Sequence, residues 1–371
     1  MNYIIDRVKF KLLNFNNNSK NIINCCIDLY LANGDITKYK IINYLGYGTV
    51  GQVYLLKKLS DQTNYVIKIS NEKCQKNLIY EVKIIKSFFT KNKIVHNYYP
   101  IYWGIFKNLN AVGVIYPYLG FYNLEKIKSI GYSIDFTNNV LIVKQLIKQL
   151  NNINSHNIIH CDLKSANIVF TLDNNYPSVN IIDFGLAHLV SDSVSIISTN
   201  YITSPESLLT IAEYSNCVSQ SDSSNIDFSK HDYFGLLCIV LDLFTNCGVW
   251  SILTHYMTTQ LNIKYNKLLE QNASSLFVYI WYRFSCRNLD DIPLQSLKNL
   301  INKIESQYSY LATNEYYLFD DFFIKYIKPN LIASFDSQYV EYFMDFLKNI
   351  SYFDSTKRPE LANLLKCKFL K

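Results

Sequence analysis

Apolar and polar positions fall into a strand-like pattern from Tyr39 onward. Ile41, Tyr44 and Leu45 lead into a glycine-rich stretch, and Val53, Tyr54 and Leu55 leave it, which predicts two strands around a turn. Ser60–Asn64 is a cluster of turn formers, and Tyr65-Val66-Ile67-Lys68-Ile69 reads as a third strand. Over residues 73–90 the period changes: Leu78, Val82 and Ile85 are spaced for one face of a helix. Two apolar strands follow, near Ile101–Phe106 and Ala111–Tyr116. Past Pro117-Tyr118-Leu119-Gly120 helices dominate. Val143, Leu146, Ile147 and Leu150 make one apolar face that ends near Ser155-His156-Asn157, and the pattern stays mainly helical to Leu370. The polar run Ser219–Ser224 is a loop or insertion, and no internal repeat is present. The first 38 residues carry no motif; their pattern leaves open an extension packed on the domain or a partly ordered arm.

Composition narrows the class. The chain has 371 residues, 49% of them hydrophobic, enough for a sizeable core divided between two lobes or domains. A net charge of +6 is mildly basic and fits a lysine-rich surface better than a nucleic-acid site, so no nucleic-acid partner is expected. Nine cysteines show neither metal-ligand spacing nor a disulfide framework and read as reduced thiols. The opening Met1–Arg7 has charges among its apolar residues, unlike a secretory signal. The longest apolar run, Tyr233–Leu241, stops at Asp242 and is too short to span a bilayer, so it reads as a buried helix. The expectation is a soluble, cytoplasmic protein with no membrane partner. The bias toward Asn, Ile, Lys and Tyr is what an AT-rich genome produces, so runs such as Asn16-Asn17-Asn18 say little about function.

Three motifs carry chemistry. Gly46-Tyr47-Gly48-Thr49-Val50-Gly51-Gln52-Val53 lies between two strands; three glycines let backbone cover a phosphate chain closely, since no side chain intervenes. Alone, G-x-G-x-x-G is a weak signal. His160-Cys161-Asp162-Leu163-Lys164-Ser165-Ala166-Asn167 sets a carboxylate, an ammonium and an amide within eight residues. Phosphoryl transfer needs that set, to orient a hydroxyl, neutralise phosphate charge and hold a metal. Asp183-Phe184-Gly185 follows Asn167 as a second metal-binding signature.

In this order and spacing the motifs resemble those of eukaryotic-type serine/threonine protein kinases, over roughly residues 39–371. The resemblance implies an α+β, bilobal protein kinase fold: an N-terminal extension at 1–38, a small lobe of five strands and one helix at 39–116, a hinge at 117–120, and a larger, mainly helical lobe at 121–371. It implies ATP as cofactor, with Mg²⁺ or Mn²⁺, and proteins with Ser or Thr acceptors as substrates. Oligomeric state is left open.

Residue by residue, the resemblance assigns Leu45, Gly46, Tyr47, Gly48, Thr49, Val50, Gly51, Gln52 and Val53 to the loop over ATP. Val66, Tyr116, Pro117 and Tyr118 go to the adenine pocket, with Tyr116 at the gatekeeper position. Lys68 binds the α- and β-phosphates and is held by Glu81 on the following helix. Asp162 orients the substrate hydroxyl, Lys164 neutralises charge on the transferred group, and Asn167 and Asp183 ligate metal. His160 is structural. Glu206, in Ser204-Pro205-Glu206, is expected to pair with Arg358, and Asp232 to anchor the catalytic loop. Lys164 and Thr199 match the serine/threonine pattern rather than the tyrosine one.

Departures matter too. Val50 stands where an aromatic is frequent, and Val66 replaces a small alanine, which narrows the adenine pocket. Cys161 replaces the arginine that normally pairs with a phosphate on the activation segment, so activity is expected not to depend on phosphorylation there. One alternative is a pseudokinase acting as a nucleotide- or protein-binding module; its usual sign, loss of Lys68, Asp162 or Asp183, is absent. Another is a small-molecule kinase of the related fold, and Glu206 and Arg358 argue against it.

Overall fold

A computed structural model describes residues 6–13, 22–48, 50–89, 100–106, 110–174, 176–190, 204–208, 228–245, 252, 295–307, 323–331 and 336–371. The chain divides into two compact units, Met1–Phe121 with Ile182–Ala187, and Tyr122–Ile181 with His188–Lys371.

The first unit is built on a closed barrel. Its strands are β1 (Asp6–Leu13), β2 (Cys26–Tyr30), β3 (Ile36–Tyr47), β4 (Gly51–Lys58), β5 (Asn64–Ser70), β6 (Tyr102–Phe106) and β7 (Ala111–Pro117), ordered β1-β2-β3-β4-β5-β7-β6. Strands β3 to β7 are the five expected. The other two, β1 and β2, lie within the first 38 residues and form part of the barrel wall. Strand β1 pairs antiparallel with β2 and parallel with β6, from Asp6↔Tyr102 to Phe10↔Phe106, and this parallel pairing closes the barrel. The side-chain period of two explains the fit: Arg7, Lys9 and Lys11 are exposed, while Phe10 turns inward and stacks on Phe106 with ring centroids 4.6 Å apart. Ile27 and Leu29 of β2 join Ile41, Leu56, Ile67 and Ile115 in the interior.

Helix α1 (Gln75–Phe89) packs against β7. Leu78, Val82 and Ile85, the expected face, are buried. The helix begins two residues later than the pattern suggests, because Glu72–Cys74 forms a 3-10 turn capped by Asn71, whose Oδ1 accepts from Cys74 N at 2.9 Å.

The second unit contains β8 (Tyr122–Asn123), α2 (Leu124–Ser129), α3 (Phe136–Ser155), β9 (Ile158–Ile159), the hairpin β10 (Ile168–Asp173) and β11 (Tyr176–Ile181), β12 (His188–Leu189), α4 (Asp232–Phe244), α5 (Gln295–Gln307) and α6 (Ser337–Ser351). The predicted face of α3 is buried at Val143, Leu146, Ile147 and Leu150. The run Tyr233–Leu241 lies in α4, buried along its length as its all-round hydrophobicity requires. Helix α3 also holds the edge of β11. Gln145 donates to Pro177 O (2.7 Å) and accepts from Val179 N (3.1 Å), and Gln149 donates to Val179 O (2.7 Å) and accepts from Ile181 N (3.0 Å). Two amides, one helical turn apart, thus satisfy backbone groups that a neighbouring strand would otherwise pair. Among the described residues, no helix is long and apolar enough to cross a membrane.

Candidate active site

In the first unit, the glycine-rich stretch is the turn from β3 to β4. Gly48 N donates to Gly51 O (2.9 Å) and Gly51 N to Gly48 O (3.2 Å). Gly51 has no alternative: a Cβ there would overlap the Ile69 carbonyl of β5. Leu45, Tyr47 and Gln52 are exposed on this hairpin, whereas Val50 is buried and packs over Gly185. Thr49 lies outside the described residues.

Strand β5 carries Lys68 into a buried cluster. Its Nζ donates to Glu81 Oε2 of α1 at 2.8 Å and to Asp183 Oδ1 at 2.7 Å. Lys68 is 4% exposed and Glu81 0%. The other Glu81 oxygen, Oε1, accepts from Tyr116 Oη on β7 at 3.0 Å. Burial pushes the Glu81 carboxyl above its ordinary range, while Lys68 and the hydrogen bonds from Lys68 and Tyr116 oppose that rise. Asp183 has φ +63°, the left-handed region, which a short polar side chain tolerates. Its Oδ1 also accepts from Gly185 N at 3.3 Å. One ammonium here meets two carboxylates. Val66 and Tyr116 are direct partners across β5 and β7, and Pro117 and Tyr118 follow at half-buried positions.

In the second unit, the loop after β9 gathers Asp162, Lys164 and Asn167. Lys164 Nζ lies 3.0 Å from Asp162 Oδ1 and 2.9 Å from Oδ2. Asn167 Nδ2 donates to the Asp162 carbonyl (2.8 Å) and to its Oδ2 (2.9 Å), which leaves Asn167 Oδ1 as the atom able to bind a cation. The loop itself is held through its backbone. His160 N donates to Asp232 Oδ2 (2.8 Å) and Cys161 N to Asp232 Oδ1 (2.9 Å), so one carboxylate in the first turn of α4 takes two successive amides. Cys161 reaches this position at φ +63°. His160, fully buried, accepts from Asp162 N at its Nδ1 (3.3 Å). Gly235 lets the loop lie on α4, since a Cβ there would overlap the Leu163 carbonyl.

Glu206 and Arg358 are also brought together. Arg358 Nη2 is 2.9 Å from Glu206 Oε1, and both side chains are buried. The contact is one of charge rather than a linear hydrogen bond, because Nη2 donates to Phe353 O at 3.0 Å and neither Glu206 oxygen receives a hydrogen bond from the described residues. Arg358 is further fixed by Tyr352 O (2.7 Å), Lys230 O (3.0 Å) and the Phe234 ring at 4.9 Å. Beside it, His231 Nδ1 is 2.7 Å from both Ser204 Oγ and Ser207 Oγ. Sequence reasoning did not find this trio, nor the Tyr116 hydroxyl, nor the Gln145 and Gln149 clamps. Paired glutamines four apart beside an apolar helix face are the signal for the last; the others depend on tertiary register. Thr199 and Ser219–Ser224 lie outside the described residues.

The family model for the protein kinase domain matches residues 39–370. A probable serine/threonine-protein kinase, nek3, of Dictyostelium discoideum is 27% identical over 219 residues, which cover 56% of this chain and 18% of that protein. Serine/threonine-protein kinase pakH of the same organism is 30% identical over 197 residues, 51% of this chain and 36% of the relative. The dual specificity protein kinase YAK1 homolog of Arabidopsis thaliana is 28% identical over 244 residues, 62% of this chain and 23% of the relative. The chain thus spans well under half the length of these relatives. A crystallised kinase domain, 20% identical, superposes with a TM-score of 0.61 over 90% of this chain and 95% of its own.

Proposed function

Because this chain belongs to the protein kinase family, we propose that it transfers the γ-phosphoryl group of ATP to Ser or Thr hydroxyls of protein substrates. One observation carries the reading: every charged residue that the reaction needs is present and already held by named partners. In the first unit Lys68 is fixed by Glu81 and Asp183. In the second, Asp162 is fixed by Lys164 and Asn167 on a loop pinned to Asp232.

The roles follow from these placements. Lys68 presents its ammonium to the α- and β-phosphates, and Glu81 keeps it from turning away. Asp162 accepts a hydrogen bond from the substrate hydroxyl and directs its lone pair. Lys164 neutralises charge on the transferred group. Asp183 brings a carboxylate and Asn167 an amide oxygen, hard donors that suit Mg²⁺ or Mn²⁺. The excess of carboxylate over ammonium around Lys68 fits a cation at Asp183. When bound, a divalent cation neutralises phosphate charge that builds during transfer. The protein's contribution is positioning and charge stabilisation rather than covalent chemistry. Lys164 and the names of the curated relatives support serine or threonine as acceptor. A reducing compartment such as the cytoplasm fits the cysteine spacing of the sequence, which shows no disulfide framework.

The test is phosphate transfer from labelled ATP to a peptide array with Mg²⁺ or Mn²⁺, run beside Asp162→Asn. Transfer to Ser or Thr peptides by the native protein alone is the expected result. Equal signal from both proteins would leave a binding module as the reading.

A further inference from the structure

We propose that Tyr116 is a positioning residue for phosphoryl transfer: its hydroxyl fixes the Glu81 carboxylate and, through it, the phosphate-binding ammonium of Lys68. The proposal rests on the kinase reading and adds to it, because the ring of Tyr116 was assigned only to the adenine pocket.

The geometry is a relay of three side chains from three elements. Tyr116 is on β7, Lys68 on β5 and Glu81 on α1. Strand register sets the first two. Val66 pairs with Tyr116 and Lys68 with Val114, so Lys68 and Tyr116 leave the sheet on the same face, toward the helix that bears Glu81. The carboxylate then meets one donor from each strand, Lys68 Nζ at 2.8 Å on Oε2 and Tyr116 Oη at 3.0 Å on Oε1. Two points of attachment define the plane of a carboxylate; one would leave it free to swing about Lys68.

The environment makes the second attachment consequential. Glu81 and Tyr116 are both 0% exposed, so water cannot take the place of the phenol. A buried charged group that loses a partner bears the full cost of desolvation. Lys68 meanwhile has a competing carboxylate, Asp183, at 2.7 Å. If Glu81 is no longer held, the pull of Asp183 on the ammonium is less well balanced. A phenylalanine would fill the same volume and keep the pocket wall intact, yet supply no donor. The hydroxyl and the ring are therefore separable by a single atom.

The test is a double-mutant cycle of Tyr116→Phe and Glu81→Ala, read both by steady-state kinetics and by thermal melting. Tyr116→Phe is expected to lower kcat about tenfold, the scale of one lost hydrogen bond to a charged group, with the KM for ATP changed less than about threefold. In the Glu81→Ala background the same substitution is expected to cost nothing further, in rate or in melting temperature. A change confined to KM would assign Tyr116 to the pocket wall and overturn the proposal, as would equal losses in both backgrounds. If Glu81→Ala does not fold, Tyr116→Phe alone decides, since kcat within twofold of the native value overturns the proposal. Melting keeps the two readings distinct: absence of turnover in the native protein sinks the kinase assignment, whereas additive melting shifts sink the relay.

Discussion

The two charged clusters are held in opposite ways. Around Lys68 the contacts run from side chain to side chain, and the participants Lys68, Glu81 and Tyr116 are almost wholly removed from solvent. Around Asp162 the fold fixes the backbone first, through the Asp232 carboxylate on two amides and Asn167 on the Asp162 carbonyl, and leaves Lys164 partly exposed. A cluster of the first kind is a set of mutual dependences, because each charge is the solvation of the next. A cluster of the second kind separates conformation from chemistry. Functional groups on an anchored loop can be exchanged without disturbing the loop that presents them.

The largest expected effect tests that separation. Asp162→Asn should lower kcat by about 10²–10⁴-fold, the usual share of a positioned acid–base group, while leaving the melting temperature nearly unchanged. Lys68→Ala should also abolish most activity, but it leaves Glu81 a buried carboxylate that has lost its ammonium and keeps the Tyr116 hydroxyl, and it should cost about 3–5 kcal/mol in stability. Calorimetry beside kinetics on the two variants settles the matter. Equal stability losses would mean that the clusters are held alike.

A second contrast concerns where each unit's stability originates. The barrel is closed by β1, a strand far from the kinase motifs in sequence, and its Phe10 is buried, 4% exposed and stacked on Phe106. Phe10→Ala should cost about 3–5 kcal/mol as a large-to-small core change. A chain beginning at residue 39, the start of the matched family region, would lose both β1 and β2. Chemical denaturation of Phe10→Ala checks the estimate. A loss under about 1 kcal/mol would show that the N-terminal strands decorate the barrel rather than support it.

How far the sequence disclosed this architecture depends on distance along the chain. Strands β3 to β7 were legible because each has its own apolar pattern and turn residues, and the face of α3 because its spacing is local. The motif residues were legible for the same reason; Asp162, Lys164 and Asn167 meet within a single loop. Strands β1 and β2 were not. Arg7, Lys9 and Lys11 alternate correctly, but a short lysine-rich run reads equally as solvated chain until β6 is known to lie beside it. The Tyr116 hydroxyl was hidden for a related reason. In a chain with 31 tyrosines, nothing marks one whose partner is fixed by strand register and helix packing.

Burial shifts two titratable groups in opposite directions. Glu81 is pushed up from its ordinary 4.5 by burial, whereas His231, beside Ser204 and Ser207, is pushed down from 6.5, again chiefly by burial. Asp232 and Glu206 favour its protonation, and Arg358 and His160 disfavour it. With the folded value below the unfolded one, the unfolded chain takes up the proton first as pH falls. The stability due to neutral His231 is thus complete well above pH 6.5 and drains away as pH falls through and below that value. Melting temperatures should drop between about pH 7 and 5.5, and His231→Gln should flatten that slope. An unchanged slope would assign the acid sensitivity to other groups.

The smallest expected effect is none at all, and it follows from how the catalytic loop is anchored. Position 161 is where the family places an arginine that receives an activation-segment phosphate. Here Cys161 is fully buried, its thiol donates to Ile159 O at 3.6 Å, and burial followed by Asp232 holds it protonated far above the ordinary thiol range. A neutral thiol offers no charge for a phosphate to pair with. The loop has no need of one, since Asp232 already fixes the amides of His160 and Cys161. Ser191, Ser193, Ser195 and Ser198 lie outside the described residues, so the expectation rests on the loop alone. Replacing all four with Ala should leave kcat within about twofold, because no receptor at position 161 translates their charge into loop geometry. A loss of tenfold or more, restored by Asp at one of these positions, would reveal a cation elsewhere in the role of the missing arginine. The Asp162 loop would then depend on charge after all, as the Lys68 cluster does.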